Sequence, residues 1–305
     1  MFQDKGYEVE VSDFDGVLPR EQLLQKVKGA DAILSLLTDK MDKEVFEAAG
    51  PQLKIVANYA VGYDNFALVD FKEKGIVGTN TPDVLTETVA EHTFALMLAI
   101  AHRIVESDKF LRAGKYHGWA PMMLLGSDLA KKTLGILGLG RIGSRVAHHA
   151  VKGFEMNILY YDVKPNPDFE KETGAKFASK EEVLKNSDFI SIHLPLLDST
   201  RHFISETEFN MMKSTAYLIN TSRGPIIDEV VLVKALQEKK IKGAALDVFE
   251  KEPELSPGLS ELDNVIITPH TASATEETRA KMSEVAAKNI IEVLEGRIPS
   301  NLIKI

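Results

Sequence analysis

The chain has 305 residues and carries 45 Asp and Glu against 36 Lys and Arg, which gives a formal net charge of −9. Because nucleic-acid phosphates need clustered Lys and Arg, an acidic chain without a basic tract argues against a nucleic-acid partner. The sequence has no Cys, no apolar run near the roughly 20 residues that span a bilayer and no signal-peptide pattern, so we expect a cytoplasmic protein without structural disulfides, Cys-ligated zinc or a membrane partner.

Short apolar runs alternate with helical stretches in the first part of the chain. We predict strands at 7–14, 31–37, 53–59 and 75–81, with a helix over REQLLQKVKG at 20–29. This alternation is typical of a small α/β domain.

Two longer helices are predicted from other patterns. The stretch from Glu87 to Ile104 is apolar over most of its surface and predicts one long buried helix. A last helix is predicted from about Thr275 to Glu295, with Gly296 as the residue that ends it.

Six further apolar runs follow from residue 132 onward. Each is apolar throughout rather than alternating, which indicates parallel strands that are buried on both faces. Ser179 with Glu182 and Ser205 with Glu208 fit capping boxes, and Asp228 can cap a third helix. Strands that alternate with such helices predict a doubly wound sheet. The runs lie at 132–140, 156–162, 189–195, 216–224, 243–249 and 264–270.

The first of these runs leads into the glycine sequence GLGRIG (138–143) and then into a helix. This is the G-x-G-x-x-G pattern in the strand–turn–helix context that binds a dinucleotide. Gly138 makes the tight turn, Gly140 lets the backbone approach a pyrophosphate, and Gly143 lets the helix pack on the strand. The helix N-terminus adds N–H groups and a partial positive charge for the phosphates.

A second signal supports the dinucleotide site. Asp162 ends the next predicted strand, where its carboxylate can accept both ribose hydroxyls and would repel a 2′-phosphate. If the glycine pattern were not present beside it, we would interpret Asp162 as an ordinary acid at a strand end. Arg141 lies inside the glycine turn, so we interpret it as a neighbour of the pyrophosphate. The pattern predicts NAD rather than NADP as the cofactor.

Polar side chains follow the later strands. Because a ligand of an open parallel sheet binds outside the carboxyl ends of the strands, we expect these side chains to converge near one cofactor. An Arg, a Glu and a His are among them. The strand ends carry His193 and Pro195, the segment from Asn220 to Gly224, Asp247 with Glu252 in the loop beyond, and Pro269 with His270.

These three residue types suit the reduction of a 2-keto acid. Hydride transfer to a ketone puts charge on the carbonyl oxygen, and a histidine can protonate it because the unperturbed imidazole pKa of about 6.5 lies near neutrality. A carboxylate at Glu252 would orient the ring of His270 and stabilise the imidazolium. Arg223 can bind the substrate carboxylate with two hydrogen bonds and polarise the adjacent carbonyl.

Each residue also has a purely structural interpretation. Arg223 can form an ion pair with a neighbouring helix, His270 can cap the last helix, and Glu252 can be a solvated loop acid, as we expect of Glu250. His202 shows no partner in the sequence. The coincidence at strand ends favours function, and the lack of H-E-x-x-H or a carboxylate cluster with ligand spacing predicts no metal site.

These residues match a known family, because the chain resembles the D-isomer-specific 2-hydroxyacid dehydrogenases over nearly its full length. Within the family, residues 36–42 and 115–143 are similar to glyoxylate/hydroxypyruvate reductases. Family members usually open with a strand and a helix before the position of Tyr7, so we expect the first strand of the smaller domain to be missing. The matching segments are NYAVGYDN (58–65), TPDVLTETVAEHTFALML (81–98), GLGRIG (138–143), the strand end at Asp162, HLPL (193–196), NTSRGPIID (220–228), ALDVFEKEP (245–253) and PHTASAT (269–275).

The expected fold is α/β with two Rossmann-like or flavodoxin-like domains. The larger domain, residues 87–275, would be a doubly wound parallel sheet of six to seven strands that binds NAD. The smaller domain, residues 1–86 with 276–305, would bind the substrate. The resemblance also implies a homodimer formed by the larger domains.

The resemblance assigns roles to individual residues. It implies that Arg223 binds and polarises the substrate, that Glu252 pairs with His270, and that His270 is the proton donor, in contact with the substrate. Backbone N–H groups of Val61 and Gly62 would bind the substrate carboxylate. The residues implied to border NAD are Gly138, Gly140, Arg141, Ile142, Gly143, Asp162, His193, Pro195, Thr221, Ser222, Arg223, Asp247, His270 and Ser273.

The leading hypothesis is an oxidoreductase that transfers a hydride between NAD(H) and a small 2-keto acid or D-2-hydroxy acid, reducing glyoxylate to glycolate and hydroxypyruvate to D-glycerate. One alternative is D-3-phosphoglycerate dehydrogenase, whose substrate needs extra cations around its phosphate. Only Lys40, Lys43 and Lys54 are evident between Leu36 and Val61. The other alternative is a non-catalytic NAD-sensing protein on the same scaffold, which would bind the cofactor without turnover.

Overall fold

The computed structural model describes residues 1–14 and 16–304. The chain forms two compact units, Met1–Leu85 with Thr275–Ile305, and Thr86–Ala274. These bounds lie one residue from those of the two predicted domains. Each unit has a parallel sheet and hydrophobic clusters of its own.

Strands and helices alternate along most of the described chain. The strands are β1 Ala32–Ser35, β2 Ile55–Asn58, β3 Val77–Thr79, β4 Thr133–Leu137, β5 Asn157–Tyr161, β6 Lys176–Phe177, β7 Phe189–Ile192, β8 Tyr217–Asn220, β9 Gly243–Leu246 and β10 Val265–Ile267. The helices are α1 Arg20–Lys26, α2 Lys43–Ala49, α3 Leu68–Lys74, α4 Thr86–Ala101, α5 Ile104–Arg112, α6 Arg141–Phe154, α7 Pro167–Thr173, α8 Lys180–Asn186, α9 Glu206–Met211, α10 Glu229–Gln237 and α11 Glu276–Leu294.

The first unit is built on three parallel strands in the order β1-β2-β3. On one side of this sheet the rings of Phe66 and Phe71 stack with their centroids 4.6 Å apart. On the other side, Ala286 and Ile290 of α11 join a cluster with residues of β2. The helix from the end of the chain thus completes the core of the unit that contains its beginning.

The second unit, whose residues are all described, holds seven parallel strands in the order β10-β9-β8-β7-β4-β5-β6. This confirms the predicted doubly wound α/β sheet and adds the two-residue strand β6. Strands β7, β8 and β9 are buried along their whole length, with alternate residues in two separate hydrophobic clusters, one on each face. Double-sided burial explains why their sequences are continuously apolar. The strand order reverses between β4 and β7, so a ligand crevice is expected at their carboxyl ends.

The three predicted capping signals lie at the starts of α8, α9 and α10. At α8, the Oγ of Ser179 accepts the N–H of Glu182 at 3.2 Å, and Glu182 accepts the N–H of Ser179 at 3.0 Å. At α10, Asp228 accepts the N–H of Val231 at 3.1 Å. Each cap contributes about 1 kcal/mol to stability and fixes where the preceding loop ends.

Two predictions of secondary structure were wrong. Residues 7–14 form no strand, because the described three-stranded sheet gives this segment no neighbour to pair with, and Val11 remains 74% exposed. The long helix over 87–104 is two helices, since Arg103 has a left-handed φ of 55° and the carbonyl of Ala101 accepts the N–H of Ser127 at 2.8 Å. Within the described residues, none of the helices combines the length and apolar character that crossing a membrane requires.

Candidate active site

The turn between β4 and α6 carries the three glycines, and they differ in why glycine is needed. Gly138 has a φ of 98°, which favours glycine over other residues. A Cβ at Gly143 would lie 2.1 Å from the carbonyl oxygen of Gly138, so only glycine lets the helix pack here. A Cβ at Gly140 would meet no protein atom within 4 Å. Protein packing therefore does not require Gly140, whereas a pyrophosphate approaching the helix N-terminus would, and the turn fits a dinucleotide.

Asp162 follows β5 and lies against the glycine turn. Its Oδ2 accepts the N–H of Leu139 at 2.7 Å, and its Oδ1 accepts the N–H of Val163 at 2.6 Å. The carboxylate is thus held beside the start of α6, where the ribose of a bound dinucleotide is expected. Arg141 and Ile142 form the first turn of α6, and Arg141 is exposed.

His193 follows β7 with its Nε2 atom 2.8 Å from the Oγ of Ser191. Burial lowers the pKa of His193 to about 3, because the charged ring would lose its hydration. The imidazole is therefore neutral near pH 7 and brings no positive charge to this edge of the sheet. Pro195 follows two residues later and is exposed.

The loop after β8 takes its course from Asn220, a buried residue that the sequence analysis placed only at the strand end. The Oδ1 of Asn220 accepts the N–H and the hydroxyl of Ser222 at 3.0 and 3.1 Å, and its Nδ2 donates to the carbonyl of Arg223 at 2.9 Å. The hydroxyl of Thr221 lies 3.0 Å from that of Thr93 on α4. These contacts fix the backbone that presents the Arg223 side chain.

His270 and Glu252 are in direct contact. The Nδ1 of His270 lies 2.9 Å from Oε2 of Glu252, whose Oε1 accepts the N–H of Phe249 at 3.0 Å. Burial raises the pKa of the Glu252 carboxyl, but the hydrogen bond and charge of His270, with smaller effects of the Phe249 N–H and Arg223, outweigh it and hold that pKa below its usual value. Since Nδ1 faces Glu252, Nε2 is the ring nitrogen left for a ligand.

Asp247 holds the turn that carries His270. Its fully buried carboxylate accepts the hydroxyl of Thr268 at 2.6 Å and the N–H groups of Thr271 and Ala272 at 2.9 and 2.7 Å. The N–H of His270 donates to the Asp247 carbonyl at 2.9 Å. One residue at the end of β9 thus fixes both sides of the histidine, which itself has a left-handed φ of 54°. Ser273 follows in the same turn.

The sequence analysis missed several partners around these loops. Nε2 of His92 on α4 lies 3.5 Å from the carboxylate of Asp247. Glu250, which we expected to be solvated, has a side chain only 19% exposed. His202, for which no partner was expected, has its Nε2 atom 2.8 Å from Oε1 of Glu250. Both expectations were wrong because residues 48 positions apart meet only through the fold.

Val61 and Gly62 lie in the other unit, in the turn after β2. The Nδ2 of Asn80 donates to the carbonyl of Val61 at 2.7 Å, and the Nδ2 of the buried Asn58 donates to the carbonyl of Gly62 at 2.8 Å. The carbonyls of this turn are thus fixed, while its binding to a substrate stays a prediction. Among residues 1–14 and 16–304, no group of three or more His, Cys, Asp and Glu is placed to hold a metal ion.

The glycine turn, the carboxylate beside it and the His–Glu pair at the same edge of the sheet define an NAD-binding oxidoreductase. The profile of the family described as "D-isomer specific 2-hydroxyacid dehydrogenase, NAD binding domain" matches residues 94–272. The chain belongs to this family and is an NAD-dependent dehydrogenase.

Known proteins resemble the chain over nearly its whole length. It is 52% identical to a glyoxylate reductase of Korarchaeum cryptofilum over 93% of this chain and 86% of that protein. It is 50% identical to a glyoxylate reductase of Thermococcus litoralis over 98% of this chain and 91% of that protein. The crystal structure of the TT0316 protein from Thermus thermophilus superposes with a TM-score of 0.92 and 41% identity, covering 99% of this chain and 95% of that one.

Proposed function

We propose that this enzyme reduces small 2-keto acids with NADH, glyoxylate to glycolate first and hydroxypyruvate to D-glycerate second. The observation that carries the proposal is the 2.9 Å contact between Nδ1 of His270 and Glu252, at the edge of the sheet that also bears the glycine turn. The names of the related glyoxylate reductases support this choice of substrate.

Proton transfer falls to His270. NADH, when bound, supplies the hydride that adds to the carbonyl carbon of the substrate. The Nε2 of His270 gives its proton to the carbonyl oxygen, which leaves a neutral imidazole whose Nδ1–H still donates its hydrogen bond to Glu252. Hydride and proton together convert the ketone or aldehyde into an alcohol. The carboxylate of Glu252 stabilises the charged ring before transfer and fixes its orientation.

Arg223 binds the substrate carboxylate with two hydrogen bonds, which draws electron density from the adjacent carbonyl. The backbone N–H groups of Val61 and Gly62 are proposed to bind the same carboxylate. On the cofactor side, the residues proposed to border NAD are those of the glycine turn with Asp162, His193, Pro195, Thr221, Ser222, Asp247 and Ser273.

We further propose a cytoplasmic homodimer. Large apolar side chains remain exposed on α5 and in the segment after it, among them Leu111 at 61%, Trp119 at 80% and Met122 at 77%. Several large exposed apolar side chains in one stretch of the chain favour a protein interface there. Light scattering on the purified protein measures the mass, and a monomer would contradict this part of the proposal.

The substrate is tested by following NADH absorbance with glyoxylate, hydroxypyruvate, pyruvate and 3-phosphohydroxypyruvate, each repeated with NADPH. We expect the largest kcat/KM for glyoxylate, a smaller one for hydroxypyruvate, and preference for NADH. Turnover restricted to the phosphorylated substrate would indicate a phosphoglycerate dehydrogenase instead. NADH binding without turnover of any of the four would contradict the enzymatic proposal.

A further inference from the structure

Glu229 is a buried carboxyl group that the proposed mechanism does not use. It is the first residue of α10 and is 3% exposed. Its Oε2 accepts the N–H of Glu250 at 2.9 Å, and its Oε1 accepts the N–H of Ser256 at 2.7 Å. The two donors lie on either side of Glu252 in the chain, so one side chain holds the loop of Glu252 at both ends.

The contact is reciprocal. The Oε2 of Glu250 accepts the N–H of Glu229 at 3.2 Å, while its Oε1 lies 2.8 Å from Nε2 of His202. Between the two held positions, the loop closes on itself through a 2.8 Å hydrogen bond from the N–H of Glu254 to the carbonyl of Lys251. The loop is therefore a small closed unit attached to the start of α10.

The same loop also packs against the segment that carries Arg223. A Cβ at Gly224 would lie 1.9 Å from the carbonyl carbon and oxygen of Phe249, so the two backbones are in direct contact. Phe249 in turn donates its N–H to Glu252 at 3.0 Å. One side of the loop packs on the backbone of Gly224, and the other side is bonded to Glu229. We therefore expect a change at Glu229 to move the loop relative to these neighbours.

We propose that Glu229 is a positioning residue, which holds Glu252 at hydrogen-bonding distance from His270 by binding the N–H groups of Glu250 and Ser256. This inference rests on the proposed roles of Glu252 and His270. A carboxylate supplies two acceptors, whereas the amide of glutamine supplies one acceptor and turns an N–H₂ group toward the other loop N–H. The geometry of Glu252 and His270 therefore depends on a side chain that touches neither substrate nor cofactor.

The test is Glu229→Gln in the full-length enzyme, assayed with NADH and glyoxylate. Because a misplacement of about 1 Å can cost up to about 10²-fold, we expect kcat to fall about 10-fold to 100-fold with the Kd for NADH unchanged. The acid limb of the kcat/KM profile should move to higher pH, since the low pKa of Glu252 depends on its contact with His270.

The shift of the acid limb also depends on the other titratable and charged groups around the loop. Glu250 accepts the N–H of Glu229, while His202 lies beside Glu250 and 3.9 Å from Asp228, and the charge of Lys251 also acts on Glu250. Arg223 and His270 lie beside Glu252. The matched control is Glu208→Gln. Glu208 accepts the N–H of Ser205 at 3.0 Å at the start of α9 and lies 2.8 Å from Lys180, in the same unit as Glu252. Its substitution should leave the acid limb in place.

A folded fraction that stays constant across the assayed pH range lowers the height of the pH profile without moving its limbs. The acid limb is therefore compared over the pH range in which circular dichroism shows the variant as folded as the wild type, which separates positioning from stability. If Glu229→Gln does not fold, His202→Gln loosens Glu250 alone and should shift the same limb by a smaller amount. If the wild type is active and the acid limb of the folded variant does not move, this inference is overturned and the proposed function stands. An inactive wild type overturns the proposed function and this inference with it.

Discussion

Two turns at the carboxyl edge of the seven-stranded sheet are built in opposite ways. The glycine turn, residues 138–143, takes its shape from missing side chains, since a Cβ at Gly143 would lie 2.1 Å from the carbonyl oxygen of Gly138. The histidine turn, residues 268–272, is instead shaped by a side chain from elsewhere in the chain. The buried carboxylate of Asp247 accepts three hydrogen bonds of 2.6–2.9 Å from residues of this turn. The first turn is encoded within six residues, whereas the second depends on a residue 21 to 25 positions away.

The largest effect is expected from replacing His270, which tests whether the histidine turn supplies the proton donor. His270→Gln keeps a side chain that can hydrogen-bond but cannot donate a proton at neutral pH. Because general acid catalysis contributes about 10²–10⁴-fold, kcat should fall by that factor while NADH binding, followed by fluorescence, stays normal. The control is His148→Gln, which changes a histidine on α6 whose side chain is 33% exposed. Equal kcat in the two variants would remove His270 from the mechanism.

The next prediction tests whether missing side chains set the glycine turn. Gly143→Ala places a methyl group on the backbone of Gly138, and overpacking of this kind costs about 1–3 kcal/mol, with a clash against backbone at the upper end. We expect a lower free energy of unfolding and loss of NADH binding. Gly153→Ala, in the same helix, meets no atom within 4 Å and should gain up to about 1 kcal/mol from the better helix former. Normal NADH binding by the Gly143 variant would show that the turn tolerates a side chain.

Asp247→Asn tests the carboxylate that shapes the other turn. Burial raises the pKa of the Asp247 carboxyl, but hydrogen bonds from His92, Thr268, Thr271 and Ala272 outweigh this and hold it below the reference value of 3.8. Because at least one N–H group of the turn would lose its acceptor, the variant should lose about 1–3 kcal/mol of unfolding free energy at neutral pH.

The pH dependence of that loss has a definite sign. A carboxyl whose pKa is lower in the folded state stabilises the protein above the unfolded pKa, and the stabilisation is lost as the pH falls through the folded value. The difference in unfolding free energy between wild type and Asp247→Asn should therefore shrink as the pH falls below about 4, as measured by urea unfolding. A difference that stays constant down to acid pH would mean that the charge of Asp247 contributes nothing.

The contrast between the two turns also explains what the sequence could predict. The seven-residue apolar run at 189–195 predicted β7, and GLGRIG predicted the glycine turn after β4, because both depend on neighbours in the chain. The contact of Glu252 with His270 was inferred from the family resemblance and from their places at strand ends. The 2.9 Å distance between them agrees with that inference, although their catalytic roles stay predictions.

Features that depend on distant residues were missed. The alternating segment 7–14 has the composition of a strand, but a strand also needs a neighbour, which no local pattern reports. Likewise, nothing near Arg103 in the sequence shows that Ser127 will bind the carbonyl of Ala101 and that the helix will break there. Glu250 was expected to be a solvated loop acid, and only the fold brings it into contact with Glu229, which no sequence pattern marked.

The smallest effect is expected at Asp162, the carboxylate beside the glycine turn, which corresponds to Asp247 at the histidine turn. Asp162 accepts two backbone N–H groups but is only partly buried, so Asp162→Asn should change stability little. Its charge should matter for the cofactor, because a carboxylate at the ribose repels a 2′-phosphate. Removing about 1.4 kcal/mol of repulsion corresponds to a tenfold rise in the ratio of NADPH to NADH kcat/KM. Asp168→Asn, which removes an exposed acid in the first turn of α7, should leave the ratio unchanged. Equal ratios in both variants would mean that Asp162 shapes the turn, as Asp247 shapes the other, without selecting the cofactor.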